Sequence, residues 1–165
     1  MVTYKHKIFI SYYHKEDQKY AEQLAYIHGY AIIDKSLYGD FGFLQTKTIL
    51  DKIRKEHLRD STVTVVLVGL HTYGRKWVDW EIYASLRPYG ERTINGLVGI
   101  YLPVHSRKHF RLTDNILSGY AVRMNWKDAQ NGDEFINVVH SAWNCRRRNY
   151  LIDNSRPLRE RNARI

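Results

Sequence analysis

The chain has 165 residues, 44% of them hydrophobic, with 3 Pro and 10 Gly, which suits one domain with a real core and excludes a disordered or fibrous chain. Its single cysteine, Cys145, read as a helix cysteine, excludes an internal disulfide and a thiolate metal cluster. No apolar run approaches the roughly 20 residues that span a bilayer, and the opening MVTYKHKIFISYYH lacks the pattern of a secretory signal. A cytoplasmic protein without membrane contact is expected. The formal charge of +9 is concentrated, because residues 146–165 hold seven Arg against Asp153 and Glu160. That division suggests a domain over residues 1–148 and a basic tail over 149–165, the latter expected to be a solvated, fraying end rather than a nucleic-acid arm.

In chain order, KIFISYY at 7–13 is a short apolar, β-branched and aromatic run that stops at a polar group beginning with His14, which predicts a buried strand entering a helix. Tyr20, Leu24 and Ile27 give that helix its apolar stripe, and Gly29 ends it. Tyr30 to Ile33 is a second short apolar run. Residues 34–45, containing Gly39 and Gly42, form a loop long enough to suggest a function, and a lid if it lies ordered over the pocket. Ile49, Leu50 and Ile53 mark another helix. Ser61 to Gly69, STVTVVLVG, is β-branched almost throughout, as expected of a central parallel strand covered on both faces, with Val65, Val66 and Leu67 buried. After a loop over 71–76 a helix opens near Trp77; Leu97 to Leu102 and Tyr120 to Met124 predict two more strands, and Phe135, Val138, Val139 and Ala142 a last helix. Residues 103–119 read as a long basic loop. Trp77 and Trp126 read as core.

Strands alternating with helices at this spacing predict an α/β fold, a doubly wound five-stranded parallel sheet of order 2-1-3-4-5 flanked by helices. Ligands of such sheets bind outside the carboxyl ends of the strands where the order reverses, here between the first and third strands. Ser11, the loop Tyr12 to His14, and the helix carrying Asp79 and Glu81 would then line one concave pocket. A phosphorelay receiver would need acidic residues where Ser11, Tyr12, Gly69 and Leu70 stand, and the phosphate-binding glycine motifs are missing. His105 and His109 enclose Arg107 and Lys108 with no nearby carboxylate, so no metal is expected.

KIFISYYH, IRKEHLRDSTVTVVLVG and WVDWEIYASL together resemble the Toll/interleukin-1 receptor (TIR) fold, in particular the TIR-like B-subunit proteins of bacterial Thoeris antiphage systems, over about residues 5–125. The resemblance implies an enzyme that cleaves NAD+ at the nicotinamide–ribose bond and makes an ADP-ribose-derived signal for a partner effector. NAD+ is then the substrate, no further cofactor is implied, and self-association is an option. By the same resemblance Phe9 to Ser11 matches the strand-end segment of enzymatic members, and Glu81 falls where their catalytic glutamate stands. Tyr12, Tyr13, His14 and Trp80 are the candidates for contacting the dinucleotide, through backbone N–H groups or ring stacking. The alternative is a non-catalytic TIR-like module that binds proteins or senses a nucleotide.

Overall fold

The computed structural model describes residues 6–29, 32–33, 44–91, 93–105 and 107–165. The loop expected over 34–45 therefore lies, up to residue 43, outside the described residues. Four parallel strands form the body of the sheet: β1 (Ile8–Ser11), β3 (Val63–Val68), β4 (Gly96–Tyr101) and β5 (Val122–Asn125). β3 lies between β1 and β4, and β5 flanks β4. A two-residue segment, β2 (Ile32–Ile33), pairs parallel with Ile8 and Phe9 along β1.

β3 shows why this sequence makes a sheet buried on both faces. Successive side chains alternate between faces. Val63, Val65 and Leu67 join one cluster, whereas Val66 and Val68 join another, and all of them are fully buried. Each contributes about 1.5–3 kcal/mol of hydrophobic stabilisation.

Helices α1 (His14–His28), α5 (Trp126–Ala129) and α6 (Gly132–Cys145) cover the first face through Leu24, Trp126, Phe135 and Val139. Helices α2 (Thr46–Lys52), α3 (Lys76–Ser85) and α4 (Phe110–Leu117) cover the second. There Phe9 packs with Ile49, Ile53 and Trp80. α2 runs on into a π-helical turn, Ile53–His57. The start of α6 is set by Asn131, whose side chain accepts from the backbone N–H groups of Asp133 and Glu134, with the two acids complementing the helix dipole. Cys145 ends that helix, a helix cysteine as expected, and is buried. Trp126 is core; Trp77 is only partly buried, at the rim of the α2–α3 cluster under the ammonium of Lys76.

Two expectations are corrected. The span 103–119 is not simply a loop, because α4 forms within it. Its cap is His109, whose ring accepts from the backbone N–H of Leu112, and its buried face includes an arginine, Arg111, beside Leu112. Both features conceal the helix from a reading based on apolar spacing. Nor does the basic tail fray. Residues 152–163 run back along α3 and are hydrogen-bonded to it repeatedly. The partners are mostly backbone groups, which leave no mark on composition.

Candidate active site

Parallel strands aim their carboxyl ends at one edge of the sheet, and the connections leaving β1 and β3 diverge there. β1 ends at Ser11 and β3 at Val68, side by side in register Ser11 to Val66. α3 returns over that edge. As a result the Ser11 hydroxyl donates a hydrogen bond to the Glu81 carboxylate across 70 residues of sequence. Ser11 is fully buried and Glu81 is 1% exposed. The two residues expected to share a pocket are thus in direct contact, but enclosed rather than lining open surface.

The other candidates surround this pair unequally. Phe9 is entirely buried in the cluster with Ile49 and Trp80. Tyr12 is also buried, its ring stacked on His14 at 4.1 Å between centroids. Tyr13 is half-buried and carries the guanidinium of Arg75 over its ring at 4.7 Å. The carbonyl of Tyr13 accepts from the backbone N–H groups of Glu16 and Asp17, which opens α1 at the switch point. Trp80 lies beneath the C-terminal segment, and its indole N–H donates to the carbonyl of Arg159 at 2.8 Å.

Asp79 does not join Glu81. Residues two apart on a helix are separated by about 200° around its axis, so Glu81 faces β1 while Asp79 faces α4. Arg111 donates to both carboxylate oxygens of Asp79, from Nε at 2.8 Å and from Nη2 at 3.2 Å. The remaining donors of this buried guanidinium go to Asn154 Oδ1 and to the carbonyls of Arg156 and Pro157. A buried ion pair is tolerable only with such complete hydrogen bonding. Near it, burial holds His109 down to about pKa 4 despite the Asp79 carboxylate, so its ring is neutral. His105 is bonded through Nδ1 to the carbonyl of Leu102.

Asp17 is a second buried carboxylate at the switch point. It lies against the end of β3 so closely that a Cβ on Gly69 would stand 2.5 Å from its Oδ2, which is why glycine occupies that position. Burial, helped by the charge of Glu16, raises its pKa to about 6, and the Thr72 hydroxyl offsets part of this. Glu16 itself contacts His71 at 2.7 Å, tying α1 to the loop after β3. Beside Asp79, between the start of α4 and residues 156–159, a cleft of about 250 Å³ is walled by Tyr73, Phe110, Arg156 and Arg159.

The sequence reading overlooked Asp17, Arg111 and the returning segment. Only the opposition of Asp79 and Glu81 was there to be found, in their spacing. Among the described residues, no helix is long and apolar enough to cross a membrane. A family model described as Thoeris protein ThsB, TIR-like domain, matches residues 9–107. No curated protein matches the chain.

Proposed function

Because the chain belongs to the TIR-like domain family of the Thoeris protein ThsB, a family tied to antiphage defence, we propose that it is a defence enzyme that cleaves NAD+ at the nicotinamide–ribose bond. In this reading it releases an ADP-ribose-derived signal, cyclic or conjugated, that activates a partner effector in the cytoplasm. The observation that carries the reading is the Ser11–Glu81 contact at the carboxyl edge of β1 and β3. We adopt with it the five-stranded order 2-1-3-4-5, counting the two-residue β2 ladder as a strand, and a single TIR-like domain over residues 1–148 with the basic segment 149–165 packed on it.

The chemistry asks for one fixed anion. Nicotinamide leaves as a neutral molecule from a cationic ring, so no acid is needed on the leaving group. Positive charge develops on the ribose instead, and a carboxylate held beside it, accepting from ribose hydroxyls, stabilises that charge. Glu81 supplies the carboxylate. The hydroxyl of Ser11 stands where a ribose hydroxyl would donate, so substrate entry exchanges one donor for another and requires the enclosing groups to open. Phe9, two residues before Ser11 and so on the same face of β1, packs with Ile49 and Trp80 on the α3 side of the sheet. The start of α1 at Tyr12 to His14 offers backbone N–H groups and rings to the dinucleotide. Trp80 contributes from beneath the returning segment, as support for α3. No further cofactor enters the scheme.

The test is to incubate the purified protein with NAD+ and follow nicotinamide by chromatography, with and without conditions that promote self-association. Release of nicotinamide supports the reading. A non-catalytic module that senses a nucleotide or binds a second TIR-like domain is the second reading, favoured by the enclosure of Glu81. It predicts nucleotide or partner binding with no nicotinamide under either condition.

A further inference from the structure

The residue before α3 supplies no side-chain cap to its first turn. Its first residue, Lys76, follows Arg75, whose side chain makes no capping hydrogen bond. An uncapped first turn leaves backbone N–H groups without helical partners. Here the Lys76 N–H donates to Oδ1 of Asn162 at 2.8 Å, so the cap arrives from 86 residues away. Around it the segment is bonded in both directions. Arg75 Nη2 donates to the carbonyl of Ala163 at 2.7 Å, and the N–H of Ala163 returns a bond to the carbonyl of Gly74 at 2.9 Å. The N–H of Arg159 donates to Asp79 at 2.9 Å, and Trp80 donates to the Arg159 carbonyl. Arg111 draws the same segment down through the carbonyls of Arg156 and Pro157 while it holds Asp79.

We propose that residues 154–163 are a clamp on α3 that holds Glu81 against Ser11, with Asp79, Arg111 and Asn162 as positioning residues. Asp79 and Glu81 are on opposite sides of the same helical turn. A force that fixes Asp79 from the outer side therefore fixes the depth and rotation at which Glu81 meets β1. The family match ends at residue 107, so it contains Glu81 and Asp79 but neither Arg111 nor the returning segment. The kinetic part of the proposal rests on the NAD+ reading above; the geometric part does not.

The tightest point of the clamp gives the test. A Cβ added at Gly74 would stand 2.5 Å from the Cβ of Ala163. Gly74→Ala thus wedges the segment off α3 without touching Ser11 or Glu81, and Gly74→Ala with Ala163→Gly gives the space back. Three readouts apply to the full chain: hydrogen exchange at the Lys76 amide, the 13C shift of the Glu81 side-chain carboxyl, and nicotinamide release. The wedge is expected to speed exchange by about tenfold or more and to move the Glu81 resonance. It should also lower kcat by about tenfold with KM within about twofold, and the double variant should restore every readout. Faster exchange with an unmoved Glu81 resonance, or no recovery in the double variant, would overturn the clamp. If Gly74→Ala does not fold, Asn162→Ala, which truncates an exposed side chain, is read by the same measurements and the same criteria. A wild-type protein that releases no nicotinamide would count against the NAD+ reading alone, since exchange and the Glu81 resonance still decide the clamp.

Discussion

Ser85 donates its hydroxyl to the backbone carbonyl of Glu81 at 2.8 Å and, with that proton committed, accepts at 2.7 Å from Thr64 near the start of β3. Thr64 in turn accepts from the side-chain amide of Asn95 at 3.0 Å. The proton directions are thereby fixed along the whole chain of bonds from Asn95 to the last turn of α3. This buried thread anchors the helix to the sheet at the end opposite its cap.

Ser85→Ala breaks the thread at its centre and leaves the Thr64 hydroxyl without an acceptor in a site closed to water. A loss of about 1–3 kcal/mol is expected, read as a lower urea midpoint at an unchanged slope. A midpoint equal to that of the wild type would mean that Thr64 finds another acceptor.

Glu81→Gln keeps the shape of the side chain and removes its charge. Nicotinamide release should fall by about two to three orders of magnitude, since a fixed charge at the transition state is the largest expected contribution. NAD+ affinity, measured by calorimetry, should change far less. Ser11→Ala removes the resting donor to Glu81 and should weaken positioning, with a smaller effect on turnover. Full activity in Glu81→Gln would end its catalytic assignment.

Most of the frame on which these predictions stand was legible in the chain. The β-branched run at 61–69 announced a strand covered on both faces, and the distance from that run to Glu81 put the glutamate on the following helix near Ser11. What stayed hidden has a common cause. Arg111 looks like surface charge because nothing local reveals that Asp79, 32 residues earlier, neutralises it. The returning segment is held through the carbonyls of Arg156, Pro157 and Arg159, groups every residue possesses. β2 is only two residues long, too short for any periodicity to define its bounds.

Arg111→Met should cost about 3–5 kcal/mol, because it strands the Asp79 carboxylate in a buried site. Adding Asp79→Asn should recover part of that loss, since the two groups are directly bonded and their effects do not add. Thermal denaturation of the single and double variants measures the coupling, and strictly additive losses would contradict it.

Asp17 sets a pH dependence of definite sign. Its folded pKa of about 6 lies above the ordinary carboxylate value, so its contribution to stability is fully present at low pH and is lost as pH rises through about 6. Asp17→Asn should therefore be more stable than wild type at pH 7.5, by about 3 kcal/mol at most, with the difference vanishing below about pH 4. His109 works in the opposite direction: its lowered pKa of about 4 makes its contribution full above the ordinary histidine value and lost as pH falls. Urea titrations of Asp17→Asn across this range separate the two. A variant less stable at pH 7.5 would mean that the ionised carboxylate is the form the fold uses.

The bonds from Arg75 to Ala163 and from Lys76 to Asn162 join residues 88 and 86 apart, whereas β1 and β3, and then β3 and β4, meet across much shorter stretches of chain. Long loops close late, because the ordering entropy of the intervening chain must be met before the contact repays it. On this ground the sheet and its helices are expected to assemble before the seam over α3 closes. If the proposed clamp sets its position, Glu81 is expected to reach its final depth at that last step.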